Sequence, residues 1–265
     1  MRGATVKYCV SPVARQLLIN APYHMLRANM ERITALRVGV EVYLNNQAVN
    51  EIGQQDARQT GKELQERGIV CTIHAPFMDL SPGGVDREVR SITLEKLKKA
   101  VEIGHYLGAK GVVCHGGYDK WRFGGNEQLW LDGSIHTWTE VLKESGDLPV
   151  LVENIFEDNP STLIALFCSF KEKNLWFCFD TGHFNLFTTL PLEEWLMPLK
   201  DKLREFHIHD NHGRSDEHLP VGRGTFPFRD LKRFLQPLNR MFFTAETSSE
   251  AAAIETIKYA KEFLS

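Results

Sequence analysis

Short runs rich in β-branched and aromatic residues alternate along the chain with stretches whose apolar positions return at helical spacing. The runs that read as strands are Val6–Val10, Val38–Tyr43, Val70–His74, Gly111–His115, Val150–Glu153, Leu175–Asp180, Glu205–His209 and Met241–Glu246. Eight runs with helical stretches between them, and one after the last, predict a closed parallel (β/α)8 barrel, a TIM barrel, as a single domain over residues 1–265. An open doubly wound sheet is the competing α/β architecture, but its strands do not usually number eight at such even spacing. The connectors carry ordinary helix signals. Leu94, Leu97, Val101 and Gly104 share one face and Gly108 follows as a stop. Gly68 fits a left-handed cap, and Asn159-Pro160 reads as an N-cap followed by proline at the first helical position. The longest irregular stretch is Gly116–Ser134, and a loop of that length suits a lid or binding element. Within it, Tyr118–Phe123 either covers the mouth or packs the loop onto the barrel.

The ends of the strands break the apolar pattern. The third ends at His74-Ala75-Pro76, the fourth at His115-Gly116-Gly117, the fifth at Glu153-Asn154, the sixth at Asp180-Thr181-Gly182-His183, the seventh at His207-Ile208-His209-Asp210 and the eighth at Glu246. In a parallel barrel these positions emerge at the C-terminal face, where active sites of this architecture lie. Alternation puts Leu151 with Glu153, and Cys178 with Asp180, on shared strand faces, so the acids point inward at the mouth if their apolar partners do. A lone histidine or aspartate at a strand end is ordinarily a hydrogen-bonded structural group or a helix cap. Three carboxylates converging at one mouth would repel one another, and a divalent cation with neutral imidazoles in its shell is the simplest neutraliser. Mixed carboxylate and histidine donors suit zinc or manganese better than magnesium.

The bulk numbers narrow the partners. The chain has 265 residues, 43% of them hydrophobic, and a formal net charge of −3. That balance gives no general attraction to nucleic acid or anionic membrane, and no apolar run reaches the length of a membrane span. The five cysteines are odd in number and form no CxxC, and no secretory leader precedes the first run, so reduced thiols and a cytoplasmic protein are expected.

Taken together, the strand ends resemble the xylose-isomerase-like barrel superfamily, which includes endonuclease IV and many sugar and sugar-phosphate isomerases and epimerases. The resemblance implies one metal held by Glu153, Asp180, His207 and Glu246, with the run His207–Asn211 placing His207, rather than His209, at the ligand position. Endonuclease IV holds three zinc ions, and its further ligands correspond to His74, His115, His183, Asp216 and His218. The chain departs from that enzyme at Gly116-Gly117-Tyr118, at Ile155–Asp158, at Gly182, and in the loop His74–Gly84, which lacks the DNA-wedging tyrosine and leucine. The metal chemistry is therefore expected to carry over and the DNA substrate is not.

Two chemistries fit such a site, with zinc or manganese in a complement of about one to three ions. The first, favoured narrowly, is isomerisation or epimerisation of a sugar, sugar phosphate or related polyhydroxyl compound. Glu153 and Glu246 would pass a proton beside a carbonyl, His183 would orient a hydroxyl, and Lys120, Arg122 or Arg223 would hold a phosphate. The second is phosphoester hydrolysis on two or three ions, on a substrate other than abasic DNA. A module that binds metal without turnover is disfavoured by the open mouth, since structural zinc sites are closed cages. Tyr23-His24 is a weaker candidate for a substrate contact, and Glu41 an additional inward polar group.

Overall fold

The computed structural model describes residues 15–171, 173–235 and 241–264. Eight parallel strands close into a barrel in sequence order, β1 pairing with both β2 and β8. They are β1 Gln16–Pro22, β2 Gly39–Tyr43, β3 Cys71–His74, β4 Val112–His115, β5 Val150–Glu153, β6 Leu175–Asp180, β7 Leu203–Ile208 and β8 Phe242–Ala245. The helices are α1 Tyr23–Leu36, α2 Asn46–Glu51, α3 Gln54–Glu66, α4 Arg87–Leu107, α5 Glu127–Ser145, α6 Ser161–Ser169, α7 Thr181–Phe187, α8 Leu192–Leu196, α9 Phe228–Leu235 and α10 Glu250–Leu264. No helix among the described residues is long and apolar enough to cross a membrane.

The first barrel strand corrects the sequence reading. It is Gln16–Pro22, whereas Val6–Val10 lies outside the described residues. Of the seven residues of β1 only Leu18 is buried, so the segment carries no clean alternation to find. The irregular stretch read as Gly116–Ser134 is also shorter than expected. Helix α5 begins at Glu127, and the Asn126 side chain caps it by accepting from Leu129 N at 3.2 Å. Pro160 stands one residue before α6 instead of inside it, and the Asn159 side chain accepts from Ser161 N at 3.0 Å. The glycine caps hold, Gly108 at φ 70° and Gly68 at φ 67°.

Alternation along the strands separates two environments. Val40, Val42, Val112, Val150, Val152, Phe177, Phe179, Phe206 and Phe243 join Trp130, Trp138 and Trp195 of the helices in one continuous core. Val113, Leu151 and Cys178 form a separate small cluster inside the barrel, with Trp176 against it. The apolar partners of Glu153 and Asp180 therefore do face inward, and the acids stand above them at the mouth. Burying each large side chain in the outer core contributes roughly 1.5–3 kcal/mol, so the scaffold that carries the polar interior is strongly driven. The described cysteines Cys71, Cys114, Cys168 and Cys178 are free. Burial pushes the Cys71 thiol up to about 12, which makes it a packing group and not a nucleophile.

Candidate metal centre

Strands β3 to β7 each end on, or one residue past, a titratable side chain, and Glu246 follows β8 directly. Glu153 is their hub. Its Oε2 lies 3.4 Å from His74 Nε2 and 3.4 Å from His115 Nε2. Its Oε1 lies 3.3 Å from His207 Nδ1 and 3.3 Å from His183 Nδ1. The strand register produces this: His115 is the β4 partner of Glu153, and Asp180 is the β6 partner of His207. Asp180 acts as cap and site residue at once, because β6 runs straight into α7 and Asp180 Oδ1 accepts from His183 N at 2.6 Å.

The histidines are oriented from behind. His74 donates Nδ1–H to Ala75 O at 2.9 Å, His183 donates Nδ1–H to Asn154 O at 3.0 Å, and His218 donates Nδ1–H to Glu246 O at 3.0 Å. Each thereby leaves Nε2 as the nitrogen turned away from its backbone anchor. His207 does the reverse, giving Nε2–H to Glu41 Oε2 at 3.1 Å and turning Nδ1 toward the acids. An imidazole tied at one nitrogen by an outer acceptor presents a fixed lone pair at the other, which is how metal-ligating histidines are ordinarily held.

The inward atoms meet at shared space and not at one another. His207 Nδ1 and Glu246 Oε2 lie 2.9 Å apart, yet neither makes a hydrogen bond among the described residues. Both oxygens of Glu153 are likewise buried without a hydrogen-bond partner. Unpartnered buried polar atoms cost free energy unless something satisfies them. The donor set Glu153, Asp180, His207 and Glu246 lies within 4.8 Å of one another, as do His74, His115 and Glu153, and both fit a divalent cation.

An outer set stands beside the inner ones. His218 Nε2 lies 2.8 Å from Asp216 Oδ2, and His183 Nε2 lies 3.6 Å from the same oxygen. His209, which the sequence reading set aside in favour of His207, belongs here. It is fully buried, donates Nε2–H to Asp180 at 3.0 Å, stacks on the His218 ring at 4.2 Å, and keeps Nδ1 without a hydrogen-bond partner. His209, Asp216 and His218 offer a third group of converging donors. The signal was the His-x-His spacing on β7, which by alternation sends both rings inward. A chemistry-bearing acid was also missed: Glu157 is buried beyond β5, where burial raises its pKa to about 7.

The electrostatics follow from this crowding. Burial alone favours a neutral His207, but facing Cys178 and the carboxylates of Glu41, Glu153 and Glu246 outweigh it and raise its pKa well above the usual range. Burial also works against the proton on His74, and Glu153, Glu41 and Glu246 lift it to about 9. For Glu153, burial is outweighed by His207, His115 and His183, which hold its carboxyl well below the usual range. His115 differs, because burial keeps its pKa low. A divalent cation entering this cluster would compete with the protons that the carboxylates draw onto His74, His183 and His207.

All nine residues read as metal ligands, His74, His115, Glu153, Asp180, His183, His207, Asp216, His218 and Glu246, thus lie around one mouth. The cations read as phosphate holders do not converge there in the same way. Lys120 Nζ is bound to Asp158 Oδ2 at 2.6 Å, and Arg223 Nε to Glu255 Oε1 at 2.6 Å on α10. Arg122 lies over the Phe123 ring. Within the 118–123 segment, Tyr118 and Phe123 are buried and stack on each other, while Trp121 is 84% exposed, so the loop is anchored by two aromatics and presents the third. Tyr23 is turned to Asp56 at 2.5 Å, among α1 and α3.

Comparisons with known proteins bear on the fold and family. A profile of the xylose isomerase-like TIM barrel family matches residues 38–264. Uncharacterized protein MJ1311 of Methanocaldococcus jannaschii is 30% identical over 213 residues, covering 76% of this chain and 71% of that protein. Probable endonuclease 4 of Symbiobacterium thermophilum is 28% identical over 191 residues, 64% of this chain and 67% of that protein. A solved D-tagatose 3-epimerase-like protein superposes with a TM-score of 0.80 at 22% identity, over 94% of this chain and 97% of the other, a likeness of fold. With eight strands closed in order and a profile match over most of its length, the chain belongs to the xylose isomerase-like TIM barrel family.

Proposed function

We propose that this chain is a divalent-metal-dependent enzyme that hydrolyses a phosphoester bond in a small polyhydroxyl substrate, on a centre of more than one ion. The observation that carries the reading is the double facing of Glu153: one carboxylate oxygen meets His74 and His115, the other His207 and His183. A carboxylate so placed would be shared by two cation sites. His74 and His115 would complete one, Asp180, His207 and Glu246 the second, and His183, Asp216 and His218 a third. Zinc or manganese bound there supplies Lewis-acid polarisation of a phosphoryl oxygen and a water made nucleophilic near neutral pH. The chain's own contribution is shape and access. His74, Glu153, Asp180 and His207 form a buried floor that excludes water, while His115, Glu246, Asp216 and His218 are partly open and define the side from which a substrate arrives.

Isomerisation or epimerisation is the second reading, favoured by the approach of Glu153 and Glu246 to the same His207 nitrogen, at 3.3 and 2.9 Å. In that chemistry Glu246 and Glu153 would carry a proton off and onto a substrate carbon. The histidines crowding Glu153 Oε2 leave that oxygen poorly placed to act as a base, which puts hydrolysis first.

The test is zinc-loaded and manganese-loaded protein incubated with phosphomonoesters, phosphodiesters, sugar phosphates and a duplex carrying an abasic site. The expected outcome is cleavage of a small ester and no incision of the duplex. DNA repair needs several phosphates neutralised and an extruded sugar held out of the stack. The chain is net −3, and its Phe77–Gly84 loop carries Asp79 and no basic residue. Incision of the abasic site would overturn the small-substrate reading. Metal-dependent exchange of a carbon-bound proton with solvent deuterium, without ester cleavage, would replace hydrolysis by isomerisation.

A further inference from the structure

Beneath the mouth the barrel encloses a polar layer outside the nine residues read as ligands, in which Glu41 and Glu205 each bring a carboxylate oxygen within 4.8 Å of a His207 nitrogen. Glu41 on β2, Thr72 on β3, Glu205 on β7 and Thr244 on β8 are all fully buried. Glu205 Oε1 accepts from Thr244 Oγ1 at 2.6 Å, while its Oε2 is buried without a hydrogen-bond partner among the described residues. Glu41 uses its oxygens differently. Oε1 accepts from Asn20 Nδ2 at 3.0 Å, and Oε2 accepts the Nε2–H of His207 at 3.1 Å. Strands β2 and β7 are separated by β1 and β8, so this bond crosses the barrel lumen.

We propose that Glu41 is the positioning residue of the metal centre: through His207 Nε2 it fixes the rotation and tautomer of the ring and so aims the Nδ1 lone pair at the ion. The proposal rests on the metal-centre reading above. A neutral imidazole carries a proton on one nitrogen only, and the tautomer with Nδ1–H would turn that proton toward the ion and block ligation. Backbone carbonyls select the tautomer of His74, His183 and His218, and those carbonyls come with the chain's own fold. His207 depends instead on one side chain from a distant strand, itself held in place by Asn20 on β1. That acceptor is a carboxylate, which also strengthens the imidazole as a ligand. Glu41 is fully buried and meets the nine-residue set through the His207 ring.

The experiment uses the full chain and two variants, Glu41→Gln and Glu41→Ala, with Co(II) and Zn(II) as probes. Affinity is measured by competition against a chelator, ion stoichiometry at saturation by elemental analysis, and ligand geometry by the visible spectrum of the Co(II) protein. Removing an outer partner of a ligating histidine ordinarily weakens binding about 10–100-fold, and a loss in that range is expected for Glu41→Ala, with a smaller loss of about tenfold for Glu41→Gln, which keeps the shape and removes the charge. The Co(II) spectrum shifts in both, and the number of ions at saturation is unchanged. If Glu41→Ala does not fold, the near-isosteric Glu41→Gln alone decides. Wild-type affinity and an unaltered spectrum in Glu41→Gln overturn the proposal while leaving the metal centre intact. Loss of a whole ion from the saturated variant also overturns it, by making Glu41 a ligand. Absence of any bound ion in the wild type overturns the metal-centre reading and this proposal with it.

Discussion

Glu153→Gln is expected to leave the barrel folded and to lower turnover by at least about a thousandfold, a barrier increase of about 4 kcal/mol. Glu153 is fully buried, and four histidine nitrogens lie 3.3–3.4 Å from its carboxylate, two on each oxygen. An amide of the same shape preserves the packing above Leu151. It removes the negative charge that the two proposed cation sites would share, and it turns an N–H donor toward one pair of rings in place of an acceptor. Every proposed chemistry at this mouth uses Glu153, as a bridging ligand in hydrolysis and as a ligand and proton carrier in isomerisation. The measurement is kcat/KM on whichever substrate the wild type turns over, alongside circular dichroism to show that the fold persists. Activity within about tenfold of wild type, a change of only about 1.4 kcal/mol, would remove Glu153 from the mechanism.

The second large effect is expected at a residue with no chemistry of its own. A Cβ added at Gly182 would reach 2.7 Å from His209 Nε2 and lie closer still to Cε1 and Nδ1 of the same ring. The ring has nowhere to go. Asp180 holds its Nε2, His218 stacks on its face, and Thr181 Oγ1 donates to the His209 carbonyl at 2.6 Å. Gly182→Ala must therefore expel His209 or displace the start of α7, and either motion frees Asp180 and unstacks His218. Forcing a methyl group into such a site costs about 1–3 kcal/mol of stability. Affinity for Zn(II) or Mn(II) is expected to fall at least about tenfold, since two ligand sets lose their support at once. Chemical unfolding and ion titration read the two effects separately. A Gly182→Ala protein that matches the wild type in both would mean that the His209 ring does not occupy the position described.

Much of this was legible in the chain because barrel geometry turns sequence order into spatial order. Polar residues at the ends of successive strands arrive at the same rim, so His74, His115, Glu153, Asp180, His207 and Glu246 could be placed together before any coordinate was known. What escaped was set by tertiary contact. Strand β1 carries Leu17, Leu18 and Ile19 in a row and buries only the middle one, so its role in closing the barrel depends on pairing with β8 and not on its own pattern. The early start of α5 was hidden by Gly133, a poor helix residue in isolation. It is there because the backbone of Gly83 packs against it, where a Cβ would come within 3.0 Å of Gly83 O. His209 was visible as one half of a His-x-His pair, but its place depends on the empty volume at Gly182, which only the folded barrel reveals. The contact between Glu41 and His207 spans 166 positions of sequence and crosses the lumen, beyond the reach of any local pattern.

With Glu153 serving two proposed cation sites, the mouth is expected to hold more than one ion. Elemental analysis of protein purified without added metal, and again after saturation with zinc or manganese and removal of excess, tests it most directly. The expected result is about two to three divalent ions per saturated chain. A saturated chain with a single ion, or none, would contradict it.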